Sequence, residues 1–101
     1  MMGSGYDVAI KNIGKIEITD AHVSYNGFKS VGGYIAPGTD SVHMNVQIPL
    51  PNEVNIQWRS KNGVMHNKIV SLKNHKKKFK GKISFLIDDN NNVEVVVVEA
   101  P

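Results

Sequence analysis

A chain of 101 residues, 41% hydrophobic and 21% charged, has the balance of one folded domain; neither global disorder nor a second core fits that length. With no cysteine, disulfides, thiolate zinc sites and cysteine nucleophiles are excluded, and no apolar run approaches the roughly 18 residues a membrane helix needs. The formal charge of +3 conceals a strong asymmetry: Lys73 to Lys82 hold six of the twelve basic residues and no acidic one, so the other residues sum to −3.

Met1-Met-Gly-Ser-Gly5 reads as an expression remnant or a disordered start. The domain is therefore expected over residues 6–101, with the native N-terminus lost. From there the dominant period is two, the signature of strands. Tyr6–Asn12 presents Val8 and Ile10 on one face. Ile16–Tyr25 alternates Ile16 and Ile18, then slips phase to Ala21, Val23 and Tyr25, which predicts a bulge near Thr19 and Asp20. Asn26-Gly27 tolerates the positive φ of a tight turn. Phe28–Ala36 is a weaker strand interrupted by Gly32-Gly33, and Ala36-Pro-Gly-Thr39 is a turn.

Ser41–Ile48 alternates without a break, setting Val42, Met44, Val46 and Ile48 on one face until Pro49 and Pro51 end it. Glu53–Ser60 points Val54, Ile56 and Trp58 inward, and Lys61-Asn-Gly63 turns the chain into Val64–Leu72. Beyond the lysines, Lys82–Ile87 aligns Ile83, Phe85 and Ile87, Asp88–Asn92 forms a polar loop, and Val93–Val98 closes the chain. Seven to eight strands at this spacing predict an all-β fold, an antiparallel two-sheet sandwich of immunoglobulin-like type. A small barrel is the second choice. Its core is expected to unite Val42, Met44, Val46, Val54, Ile56, Trp58, Phe85 and Ile87.

Chemistry-bearing patterns are few. There is no Gly-x-Ser-x-Gly elbow, and no spacing of serines and histidines suggests a triad. His22, His43, His66 and His75 offer nitrogen ligands and Asp20, Asp40, Asp88 and Asp89 carboxylates, but without a His-x-x-x-His motif. His43 and His66 can meet only if their strands are neighbours. Asp88–Asn92 lacks the alternate carboxylates, the glycine and the distal glutamate of a calcium loop, and suits a hairpin instead. No helix follows either glycine pair to hold a phosphate. The expectation is a domain with no catalysis, cofactor, metal or small-molecule substrate.

The lysine cluster has two readings. One is a solvated loop that keeps a sheet edge from pairing. The other is a site for an anionic partner: an acidic protein face, membrane headgroups or nucleic acid. Arg59 is the single arginine and Phe79 the single aromatic among the lysines, which disfavours base-specific readout. The partner-binding residues expected are Lys76, Lys77, Lys78 and Lys80.

Val8–Ile18 followed by Gly33-Tyr-Ile-Ala-Pro-Gly38 resembles the opening of small bacterial envelope β-sandwich domains. Val54–Gly63, His66 and Phe79–Phe85 are similar to the second half of uncharacterised bacterial lipoprotein families, some of whose members look like immunity proteins against toxins delivered by type VI secretion. The resemblance implies a periplasmic or outer-membrane-anchored domain that binds and occludes an effector, with a cytoplasmic location as the alternative. The lipobox cysteine of such lipoproteins has no counterpart in this sequence.

Overall fold

Each alternating strand carries one apolar face that must be covered, and here two sheets cover each other. The computed structural model describes residues 5–30, 32–72 and 80–100. Among them lie nine strands and no helix: β1 (Tyr6–Asn12), β2 (Ile18–Tyr25), β3 (Phe28–Lys29), β4 (Gly33–Ile35), β5 (Asp40–Val46), β6 (Glu53–Ser60), β7 (Met65–Ser71), β8 (Gly81–Ile87) and β9 (Val93–Glu99). One more strand forms than expected, because Phe28–Ala36 breaks into β3 and β4. Gly32 lies between them, its N–H on the Ala21 carbonyl (3.0 Å) and so close to that oxygen that a Cβ would stand 2.4 Å from it.

The first sheet has the order β5-β1-β8-β9; the second runs β3-β2-β6-β7, with β4 also on β2. The two-sheet sandwich expected from the alternation is what forms. The sheets keep open edges, so the barrel alternative does not. Pairing is antiparallel with one correction: β1 and β8 run parallel, from Tyr6↔Gly81 to Asn12↔Ile87. Parallel neighbours need a long connection, and here it is the whole intervening chain, which builds the second sheet on the way.

Trp58, Ile56, Phe85 and Ile87 are fully buried, with Val46 and Val54 beside them. Val42 and Met44 are not in this core; they are 42% and 70% exposed. Their phase is inverted by a bulge. The register jumps between Tyr6↔Val46 and Val8↔His43, and Asn45 absorbs the extra residue at φ 58°. Val46 therefore points inward while Val42 and Met44 point out. The slip expected near Thr19 and Asp20 is a bulge of the same kind, with Asp20 at φ 52° and a register shift between Thr19 and His22.

Two polar devices tie the sheets. Tyr6 on β1 donates its hydroxyl to the Ile48 carbonyl, which leaves Tyr25 on β2 to donate to Tyr6. Asn12 is 1% exposed yet satisfied: its Nδ2 donates to the carbonyls of Ile16 (2.8 Å) and Ile35 (3.1 Å), and its Oδ1 accepts from the Gly14 N–H (2.9 Å).

Candidate functional site

The molecule is 44 Å long and about half as wide, and its two ends differ in chemistry. At one end β1 and β8 begin and β2, β7 and β9 finish. Leu72, buried with its N–H on the Asn52 carbonyl (2.6 Å), and exposed Lys80, whose carbonyl accepts from Ala100 (2.8 Å), flank the lysine segment here. Lys76, Lys77 and Lys78 lie outside the described residues. Lys82 points outward from β8, and its Nζ reaches Asp40 Oδ2 at 3.5 Å across β1. Ala9, small and fully buried, sits on β1 between the two strands and leaves room for that span.

The opposite end holds a cleft of about 480 Å³ framed by three loops: 13–17, the β6–β7 turn and the β8–β9 loop. Ile16, Ile18 and Val64 give it an apolar wall; Glu17, Lys61, His66, Asp88 and Asp89 give it charge and donors. The loops are cross-tied. Asp89 accepts the Lys15 N–H on both carboxylate oxygens (3.0 and 2.9 Å), and Gly14 lies where any Cβ would collide with that carboxylate. Asp88 accepts the N–H groups of Asn92 and Asn90, and these bonds hold its carboxyl below the usual carboxylate range. Asn91, in the left-handed region at φ 62°, accepts from the indole N–H of Trp58 at 3.3 Å.

His66 forms the inner side of the cleft, stacked on the Trp58 ring at 5.4 Å and an interplanar angle of 20°. Its Nε2 lies 3.2 Å from Ser60 Oγ. The Ser60 hydroxyl donates to Asn62 Oδ1 at 2.6 Å, so the ring N–H of His66 is the donor to Ser60. A histidine in that tautomer does not take the serine proton. Ser60, Asn62 and His66 form a hydrogen-bonded clasp at the mouth of a hairpin, able to offer polar partners to a ligand.

The remaining sequence candidates are scattered. His43 belongs to the first sheet, edge-on to Phe28 at 5.0 Å, and His66 to the second, so the two strands are not neighbours. His22 on β2 contacts the Asp20 carbonyl, while Asp20 pairs with Arg59 at 3.0 Å. Among the described residues no three of His, Asp and Glu converge on a metal position. His75 lies outside the described residues. The cleft itself escaped sequence reasoning, although its Asp/Asn-rich loop and its Lys61-Asn-Gly63 turn were both recognisable as hairpin ends. Nothing in the pattern says that those hairpins and residues 13–17 meet.

No protein-family model and no curated protein matches the chain. Among solved structures it is similar to an NMR structure of a protein from Eubacterium rectale, with a TM-score of 0.60 and 11% sequence identity over 96% of this chain and 91% of that one. At that identity the likeness establishes a shared fold.

Proposed function

We propose that this is a non-enzymatic binding domain that captures an acidic protein face at its basic end. The observation that supports the reading is the end of the sandwich at which the basic run leaves β7 and re-enters at β8. Leu72, just ahead of the run from Lys73 to Lys82 with its charge of +6, and Lys80, within it, stand at one end of the sandwich, while Glu17, Asp88 and Asp89 line the cleft at the other, with Lys61 among them. A pole of one sign steers an oppositely charged partner and raises the association rate more than the affinity. In the specific form that the sequence resemblance suggests, the domain works in a bacterial envelope as an immunity protein, and the partner is a secreted effector that it occludes.

The test reverses Lys76, Lys77 and Lys78 to glutamate and follows association with an effector encoded beside this chain. The expected result is a slower on-rate with little change in off-rate, a difference that shrinks above ~0.15 M salt, where the Debye length falls below about 8 Å. If the same change abolishes binding to anionic vesicles or nucleic acid and no protein partner responds, the basic end serves an anionic surface instead. Binding that is unchanged throughout would refute the proposal.

A further inference from the structure

Three of the four sheet edges carry features that discourage pairing with another strand. The β5 edge is kinked by the bulge at Asn45 and begins at Asp40. The far edge of the second sheet ends in two short pieces, β3 with two residues and β4 with three. On β7, Lys68 shares the inward phase of its partner Ile56 yet remains exposed, an inward charge at an edge. β9 has no bulge, no break and no inward charge within Val93 to Val98; its acidic residues are Glu94, on the outer surface, and Glu99, at its very end. It is a regular seven-residue strand, Val-Glu-Val-Val-Val-Val-Glu, with no proline or lysine. From Val93 to Val98 no strand among the described residues pairs with its outer side.

The hydrogen bonds flanking β9 reveal which of its backbone groups face outward. Ala100 donates to the Lys80 carbonyl, and Asn92 accepts from the Asp88 N–H. Antiparallel pairs alternate between bonded and non-bonded, so the even-numbered residues Glu94, Val96 and Val98 bond to β8. Val93, Val95 and Val97 direct their N–H and C=O groups away from the sheet. Their side chains pack against the core, while Glu94, exposed Val96 (38%) and exposed Val98 (61%) line the outer surface.

We propose that β9 pairs antiparallel with β9 of a second copy of this chain, making one continuous sheet across a two-fold axis. The register follows from two constraints. Each chain must keep Val93, Val95 and Val97 over its own core, and a one-residue slip would invert the faces. One register that keeps the faces centres the axis on Val96 and pairs Glu94 to Val98 of both copies: Val96 opposite Val96, Val95 opposite Val97, Glu94 opposite Val98. Val95 and Val97 then exchange backbone hydrogen bonds between copies, and Val96 meets its symmetry mate in a non-bonded pair, where side chains approach most closely.

Charge favours the same register. Lys82 is the cross-strand neighbour of Val98 on the outer face, so Glu94 of the second copy comes to lie beside it across Val98. The existing partner of Lys82, Asp40, is 3.5 Å away, and both side chains are more than a third exposed, which makes an exchange inexpensive. Glutamates do not face each other, as they would with the axis at Glu94. Pairing at the β9 edge is independent of the role proposed for the lysine segment.

The absence of cysteine makes the test direct. Val96→Cys alone should oxidise to a covalent dimer. Glu94→Cys alone and Val98→Cys alone should not, yet a mixture of those two should cross-link. In sedimentation equilibrium the unmodified chain should be a dimer and Val96→Lys a monomer with an unchanged circular dichroism spectrum. Amide exchange at Val95 and Val97 should be protected in the unmodified chain and rise at least tenfold in Val96→Lys. A monomeric unmodified chain overturns the proposal, as does a dimer that survives Val96→Lys. Protection of Val95 and Val97 that appears only when a foreign protein adds its strand would assign the edge to a different partner and refute self-pairing.

Discussion

Trp58 joins three features of the molecule through one side chain: its ring is fully buried, its indole N–H reaches Asn91 at the cleft, and His66 stacks on its face. Trp58→Ala is expected to cost ~3–5 kcal/mol by chemical denaturation, since the cavity cannot close against two rigid sheets. A matched pair checks the inverted register of β5. Val46→Ala should be clearly destabilising, whereas Met44→Ala, at a side chain 70% exposed, should stay within ~0.5 kcal/mol. The tyrosine pair gives the fold a pH limit. Burial pushes Tyr6 and Tyr25 above the ordinary tyrosine range. Unfolded tyrosines ionise near 10, so above about pH 10 the unfolded chain holds fewer protons than the native one and stability falls as pH rises; below that the contribution is fully present. Tyr25→Phe should lose about 0.5–1.5 kcal/mol at neutral pH with its hydrogen bond. It should also show a shallower decline above pH ~10, read from urea midpoints at each pH.

At the scale of strands, the two bulges show what alternation does and does not reveal. Ile18-Thr-Asp-Ala21 breaks its own period, so the bulge at Asp20 is legible in the residue pattern itself. Val42-His-Met-Asn-Val46 alternates without fault, and its bulge leaves no such mark. What decides it is the core-facing demand of Tyr6 and Val46 as partners across β1 and β5, a long-range requirement that no local window contains. Asn45 was the one available hint, because asparagine accepts the left-handed region better than most residues. Asn45→Gly should therefore be close to neutral, and Asn45→Val should lower stability by ~1–2 kcal/mol, measured as a fall in Tm. Gly81 is a sharper case. At φ 136° its Cβ would meet the Val98 carbonyl at 2.1 Å, so Gly81→Ala must push β9 from β8. The expected result is a loss well beyond ~1 kcal/mol, with amide exchange rising first along Val93–Glu99.

Across the whole molecule, charge and order of assembly separate what was legible from what was not. The lysine run was visible because charge is a property of composition. The cleft was not, because three loops far apart in sequence create it, and neither was the parallel β1–β8 pair, which joins residues 6–12 to residues 81–87. That pair also makes a kinetic prediction. Closing a loop over most of the chain costs entropy that its contacts repay only late, whereas the β6–β7 hairpin closes over the short Lys61-Asn-Gly63 turn. A fold dominated by such distant pairings should refold in milliseconds to seconds, with Trp58 fluorescence as the reporter. Val54 on β6 and Val8 on β1 are buried to almost the same degree, so Val→Ala at each removes the same atoms from the same core. If the hairpin sheet forms first, Val54→Ala slows folding and Val8→Ala mainly speeds unfolding. Stopped-flow chevrons with the reverse assignment would mean that β1 and β8 meet in the transition state, and the ends of the chain would then organise the sandwich rather than complete it.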